Sequence, residues 1–483
     1  MSQETINILF NFLPEITAAL TVLILNIFTG SDKKGTRLTY YIFVIGIVAS
    51  AMFSFAQAYY APQQLLSGMF CADHYSYAGR AIMSSVMAIS AVSFFGGKSK
   101  PHELSLSLVS YAGALLTVSA SNIFMLFISM QVMLIPLYLL THYTIKPVIR
   151  YFVFSSLFTA IMLYGITLLY GLTGSGEYTS ISKFLSFNPF NTLILVLSFV
   201  LIITGLAFVS LLAPFNLSFP VFSNKLKNAH LVQFTIINVT AVLFAAGRFI
   251  YTAFQDHNTF ITTAGNISFI GGVNWKLMLA VISVCSILAG NLVILWQYDL
   301  KKITVYIIIS QTGYLLTGII SGSQQGLAAM LAGAVILAVN SIGLFYCVEL
   351  INSRYNVTET SGLKGLGRSD KLLFIAFIFF LSSSAGFPLT SGFNSKLILY
   401  SLPGMQGYFW LIAAGIFSSA VFLFFIFRLL VVLFTGKNAQ NPPKIGTGPL
   451  IILLILLFPA IFFSIFISPL LNWANYCSNL FGI

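Results

Sequence analysis

The stretch SSSAGFPLTSGFNSK, Ser382 to Lys396, interrupts an otherwise apolar run from Leu372 to Leu399. Gly386, Pro388 and Gly392 cluster within it, and Lys396 closes it. If the run lies in a bilayer, its broken backbone must line protein or water, because lipid offers no partner to freed amide and carbonyl groups. A lysine at membrane depth costs about 2.5–3.5 kcal/mol on insertion scales and generally faces a polar interior. Lys396 is therefore the first candidate functional residue. The alternative is that Pro388 merely kinks the helix and Lys396 snorkels to the headgroups. Leu397, Ile398, Leu399 and Tyr400 follow the lysine, which weighs towards an interior role.

The rest of the chain supports a bilayer setting. Of 483 residues, 58% are hydrophobic and 7% charged, against about 25% charged in soluble domains. Apolar segments of roughly 20 residues, enough to cross the hydrocarbon core, recur from end to end. The expected fold class is an all-α polytopic membrane protein with about 14 transmembrane helices in a single integral membrane domain. The opening MSQETINILFNFLPEITAALTVLILNIF has no basic n-region and no small-residue cleavage site, so it is expected to be a first span rather than a removed signal. Cys71, Cys285, Cys347 and Cys477 show no CxxC spacing, which argues against a zinc or iron–sulfur site. No βαβ pattern carries GxGxxG, so no nicotinamide site is expected. The formal charge of +12 comes from basic residues that form no run beyond pairs. Membrane topology explains them better than nucleic-acid binding.

Hydropathy, broken at charges, Gly and Pro, starts spans near Ile6, Tyr40, Ala81, Leu104, Ile123, Tyr151 and Thr192, then near Leu231, Leu277, Ile303, Leu327, Leu372, Phe409 and Leu450. The loops after odd-numbered spans hold Lys33, Lys34, Arg37, Lys98, Lys100, Lys146, Arg150, Lys225, Lys227, Lys301 and Lys302. They also hold Arg354, Lys364, Arg368, Lys371, Lys437 and Lys444. The other loops hold Arg80, Lys183 and Lys276. The positive-inside rule makes the odd loops cytoplasmic and puts both termini on the outer side. Arg248, Lys396 and Arg428 fall within spans, and no carboxylate is expected at mid-membrane, with Glu15 and Glu349 near helix ends.

A second break, GLAFVSLLAPFNLSFP from Gly205 to Pro220, interrupts the seventh span at Pro214. Five spans separate the two breaks, so the broken helices would run in opposite directions. That is the requirement of two inverted five-helix repeats, spans 4–8 at about residues 103–253 and spans 9–13 at about 275–435. Spans 1–3, about 6–97, and span 14, about 448–470, would flank them. Chance prolines in two helices are the alternative.

Taken in order, LPEITAALTVLIL from Leu13, GLAF with Pro214–Phe215, LAGNLVILWQYDLKKITVYIIISQTGYLL from Leu288 and LSSSAGFPLTSGFNSK from Leu381 resemble the antiporter-like membrane subunits of respiratory complex I. Within that family the N subunits of NADH-quinone oxidoreductase are most similar, and the resemblance spans essentially the whole chain. It implies a proton half-channel machine in which a glutamate on the fifth span and lysines on the seventh and eighth exchange charge with a lysine on the broken twelfth. The physical logic is general: desolvation lowers a buried lysine's pKa by up to about 3–5 units and a nearby carboxylate raises it again, so moving charge loads or unloads a proton.

Carried over by residue, the resemblance makes Lys396 the twelfth-span relay lysine. The fifth-span glutamate falls on Gln131, the seventh-span lysine on Val209, the eighth-span lysine on Val239, and a tenth-span histidine on Gln311. Glutamine cannot change charge and valine offers no proton site. Thr204, Ser210, Thr235, Asn238 and Thr240 could hold water along the same route. Arg248 stays protonated and is expected to anchor the outer end of its helix. Lys301 and Lys302 match a basic pair before the tenth span and read as topology determinants, with proton entry at Lys301 as the alternative. Arg428 is expected to hold a headgroup or a carbonyl. Asp73 matches a family aspartate, and His74 reads as a solvated loop histidine.

The resemblance thus implies a membrane-arm subunit of NADH-quinone oxidoreductase, in the bacterial cytoplasmic (inner) membrane with both termini periplasmic, that couples electron transfer from NADH to quinone to proton translocation. The degenerate channel positions lead to the expectation that this copy pumps weakly or not at all. It would have no complete catalytic site and bind no cofactor or metal; FMN, iron–sulfur clusters and quinone would sit in partner subunits, its other partners being lipids. Two alternatives stand: a subunit of a multi-subunit cation/proton antiporter, or a scaffold of a membrane-bound hydrogenase or inorganic-carbon uptake complex.

Overall fold

The computed structural model describes residues 3–27, 35–58, 60, 62–94, 100–140, 145–215, 218–224, 226–254, 269–270, 273–435 and 446–480. Lys33, Lys34, Lys98, Lys225, Lys437 and Lys444 of the basic-loop pattern lie outside the described residues, as do the side chains of Lys146 and Arg368.

Each of the fourteen expected apolar segments forms helix, the conformation that satisfies every backbone group within one segment. In chain order they are α1 (Leu13–Ile27), α2 (Gly35–Gln57), α3 (His74–Phe94), α4 (Pro101–Ser119), α5 (Ile123–Leu139), α6 (Ile145–Thr173), α7 (Thr192–Val209) and α8 (Asn228–Phe254). There follow α9 (Trp275–Ile294), α10 (Leu300–Ile320), α11 (Gln324–Tyr355), the two halves α12a (Lys371–Ala385) and α12b (Ser391–Met405), α13 (Phe409–Phe434) and α14 (Thr447–Ile465). Among the described residues nine helices are long and apolar enough to cross a membrane, and α1, α5 and α12a are shorter apolar helices. Short polar side chains start several of them. Asn122, Asn191, Asp299 and Ser323 each accept a hydrogen bond from a first-turn amide, which satisfies donors that an N-terminus otherwise leaves free.

The chain forms two compact units. The first comprises Met1–Leu211, Ala229–Met278 and Tyr476–Ile483. Here α1 packs on α2 and α4, α4 on α5, and α6 on α7, with α8 against α4. A hairpin of β1 (Gln63–Leu65) and β2 (Phe70–Ala72) buries Leu65, Phe70 and Ala72 with Tyr77. The second unit comprises Leu212–Asn228 and Leu279–Asn475, in which α11 packs against α10, α12a, α12b and α14.

Three expectations change. α3 begins at His74, ahead of the expected start near Ala81, so Arg80 is a fully buried helix residue instead of a loop cation. Its guanidinium lies 2.8 Å from the Glu15 carboxylate, donates to the Asn11 carbonyl at 2.8 Å and to Gln57 Oε1 at 3.1 Å. A buried cation persists only with such partners. The two helix breaks also differ in build. α12 resumes as a 15-residue half-helix, whereas after α7 the chain forms only the five-residue helix Phe219–Ser223. Pro214 and Pro220 crowd that segment and remove amide donors a longer half-helix would need. Lastly, the first expected span is two helices, Gln3–Asn11 preceding α1.

Candidate functional site

The break in α12 follows from local backbone chemistry. Gly386 has φ +83°, a left-handed conformation that favours glycine, and its N–H donates to the carbonyls of Ser382 and Ser383 at 3.1 and 3.0 Å. Phe387 N–H also donates to Ser382 O at 2.9 Å, a Schellman-type stop. Pro388 cannot continue the helix. α12b then starts tightly against the end of α12a. A Cβ at Gly392 would lie 1.8 Å from Ser383 O, and Gly392 N–H donates to Ser383 Oγ at 3.1 Å.

This geometry leaves the Ala385 carbonyl without a helical partner, and Lys396 Nζ donates to it at 2.9 Å. The lysine is 5% exposed. Nζ also donates to Ser419 Oγ on α13 at 3.3 Å and stands 4.2 Å from the ring centroid of Tyr314 on α10. The negative end of the α12a dipole and the ring quadrupole both favour a cation there. Tyr314 is held in turn by its hydroxyl, which donates to Gly415 O at 3.2 Å. Gln311 lines the same small cavity, together with Asn340, Ser384, Ser395 and Gly392, and Gln311 Nε2 donates to Ser384 O at 2.7 Å. The space there for a water centre is about 10 Å³, roughly one molecule. Among the described residues no carboxylate pairs with Lys396.

The structure thus brings Lys396, Gln311, Gly386 and Gly392 together within the second unit. Tyr314, Ser419 and the Ala385 carbonyl are site members that the sequence reading missed. The available signal for Tyr314 was its place one helical turn after Gln311 in QTGYLL.

The other positions onto which the resemblance carries relay groups lie in the first unit. Gln131 is half-buried on α5, Val209 ends α7 and is buried, and Val239 is fully buried on α8 just after a π-helical turn, Gln233–Asn238. Beside Val209, Phe208 stacks on Phe158 and Tyr151 with centroids 4.6 and 5.7 Å apart, and Tyr151 meets Phe234 at 6.1 Å. The hydroxyls expected to hold water donate their protons within their own helices, and their oxygens remain as acceptors. Thr204, Ser210, Thr235 and Thr240 each donate to a carbonyl three or four residues back, at 2.6–2.8 Å. Asn238 is the exception.

The charged residues resolve as follows. Arg248 does not snorkel: it is 2% exposed and clamps Asp73 through two hydrogen bonds of 3.0 and 2.6 Å, with its guanidinium 5.4 Å over the Tyr75 ring. His74 opens α3 half-buried and contacts Tyr476. Lys301 Nζ donates to Leu226 O at 3.4 Å, while Asp299 caps the same helix. Arg428 donates to the Leu295 carbonyl at 3.3 Å.

A family described as NADH:quinone oxidoreductase/Mrp antiporter, TM, matches residues 120–422, which include both breaks, Lys301 and Lys396. The chain belongs to this family. Among relatives of the NADH:quinone oxidoreductase/Mrp antiporter family, NADH-quinone oxidoreductase subunit N of Chlorobium chlorochromatii is 25% identical over 494 residues, covering 98% of this chain and 95% of the relative. In fold, the chain is similar to a subunit of the membrane-bound sulfane sulfur reductase, an archaeal respiratory membrane complex, with a TM-score of 0.85, 22% identity and coverage of 98% and 96%. It is likewise similar in fold to a chain of Thermus thermophilus respiratory complex I with bound NADH, with a TM-score of 0.77, 18% identity and coverage of 99% and 100%.

Proposed function

We propose that this chain is a membrane-arm subunit of a proton-translocating NADH-quinone oxidoreductase and that the family's lysine relay is interrupted in its first unit. The full-length similarity to a subunit N supports the first part. The carrying observation for the second is the contrast between the two units: Lys396 is buried at a helix break with a carbonyl, a hydroxyl and a ring around it, whereas Val209 and Val239 are buried valines. On this reading Lys396 is the relay residue that remains, and the subunit contributes architecture and conformational coupling with little or no lysine-borne proton transfer. Lys301 and Lys302 set topology. Spans 4–8 and 9–13 form the inverted repeats, the termini face the periplasm of a bacterial inner membrane, and FMN, iron–sulfur clusters and quinone sit in partner subunits.

Purification in mild detergent, with identification of every co-purifying chain and an assay of NADH–quinone activity, tests this. Flavin and iron–sulfur subunits in the preparation are the expected result. A partner set without them would overturn the reading in favour of a cation/proton antiporter or another membrane complex.

A further inference from the structure

At the end of α12a remote from Lys396, the second unit carries an apolar groove. Phe374, Ile375 and Phe379 on α12a and Leu433 and Phe434 on α13 line it, and its volume is about 450 Å³. Lys371, the first residue of α12a, also lines it. The short helix Leu366–Arg368 packs on the same end of α13, so closely that a Cβ at Gly367 would lie 3.1 Å from Leu433 O. Gly365 N–H donates to Val432 O at 3.3 Å and fastens the loop there. The remaining side is open: Ile375 is 64% and Phe434 49% exposed.

Shape and charge together select an occupant. From Lys371 to Phe379 a helix rises about 12 Å, most of the roughly 15 Å of hydrocarbon in one leaflet. The groove thus runs from the end of a membrane helix into the leaflet, and its walls suit a hydrocarbon chain. Among its described lining residues the one charged side chain, Lys371, is positive. No carboxylate pairs with Lys371 among the described residues. The adjacent Asp370 is engaged by Arg354 and by the Tyr355 hydroxyl, which donates to it at 3.1 Å. Lys364, exposed in the loop ahead of Leu366–Arg368, adds a second cation. No side chain caps α12a, so the positive end of its dipole adds to the field of Lys371. A zwitterionic lipid has no net charge to answer these groups, whereas an amphiphile with an anionic head answers both the cation and the apolar walls.

We propose that this groove is a binding site for an anionic phospholipid. One acyl chain lies between α12a and α13, and the headgroup phosphate accepts a charge-assisted hydrogen bond from Lys371 Nζ. The site is separate from the cavity at Lys396, and neither its chemistry nor its test depends on which leaflet supplies the lipid.

The test uses the intact complex in phosphatidylcholine nanodiscs, with a trace of phosphatidylglycerol or phosphatidylcholine whose acyl chain carries a photoactivatable diazirine. After illumination, peptide mass spectrometry locates the label. The phosphatidylglycerol probe is expected to label the groove at Ile375 and Phe434 about fivefold more than the phosphatidylcholine probe, the preference that one lysine near an anionic headgroup gives. Lys371→Gln is expected to abolish that preference and Lys371→Arg to keep it. Lys371 is exposed, so neither change disturbs packing. Ile375→Trp is expected to fill the groove and lower labelling at Phe434 by both probes with the lysine still in place. Equal labelling by the two probes in the unaltered complex would mark ordinary boundary lipid and overturn the proposal. So would absence of label from both, the sign of a neighbouring helix in the groove, or a preference that survives Lys371→Gln. Labelling at Phe434 that Ile375→Trp leaves unchanged would place the lipid outside the groove and overturn it too. No readout requires NADH oxidation, so the site stands or falls separately from the proposed function.

Discussion

Lys396 Nζ lies 2.9 Å from the carbonyl oxygen of Ala385, and the two residues belong to opposite halves of a broken helix. The lysine closes the gap that Gly386 and Pro388 open, taking the place of the amide a continuous helix would supply. Lys396→Ala removes this charge-assisted bond and leaves a buried acceptor unpaired, a loss of about 1–3 kcal/mol. The melting temperature of the assembled complex is expected to fall. The ratio of protons moved to electrons transferred, measured in proteoliposomes, is expected to stay unchanged, because on the proposed function the lysine relay is interrupted at Val209 and Val239. A lower ratio would show that this subunit pumps.

Much of this was legible in the sequence and some of it was not. The apolar runs gave all fourteen helices, since apolar length alone forces helix in lipid. The Gly/Pro cluster gave the α12 break. The partners of Lys396 were hidden because Tyr314 and Ser419 come from other helices, and local pattern says nothing about which faces meet. Arg80 lies inside a helix although a charge ordinarily ends an apolar span, because Glu15, 65 positions earlier, pairs with it. Gly205 and Pro214 marked a real break, but not that the chain beyond it lacks a second half-helix, which depends on tertiary packing.

Gly386→Ala should act through two separable effects. Its φ of +83° places alanine in the left-handed region, at a cost of about 1–2 kcal/mol. A Cβ would also lie 2.9 Å from Lys396 Cδ and displace the lysine stem. A double-mutant cycle with Lys396→Ala, read by thermal unfolding, is expected to show the steric part vanish when the lysine is absent. Strict additivity would mean that the glycine and the lysine do not compete for space.

The Asp73–Arg248 pair makes a sharper stability prediction, because both side chains are 2% exposed. Asp73→Asn strands a buried guanidinium and is expected to cost about 3–5 kcal/mol. Adding Arg248→Leu removes the stranded charge, so the double variant should recover part of the loss. Amounts of assembled complex on native gels report both. Equal yields for Asp73→Asn and wild type would show that Arg248 finds water or lipid instead.

Placing a lysine at Val209 or at Val239 separates the two positions that the proposed function reads as gaps in the relay. Val239 directly follows Asn238, whose carboxamide has spare hydrogen-bonding capacity, while Val209 directly follows Phe208, which stacks on Phe158 and Tyr151. A buried ammonium needs partners or water, and it is costly where only rings and aliphatic groups surround it. Val239→Lys is therefore expected to assemble, and Val209→Lys to lose most of the complex, as read on native gels. With Gln131→Glu added to supply the modulating carboxylate, the Val239→Lys complex is expected to move more protons per electron than wild type. Equal assembly of the two lysine variants would mean that the aromatic stack does not keep α7 dry. A proton ratio that stays flat in the assembled double variant would mean that charge at Val239 is not what the relay lacks.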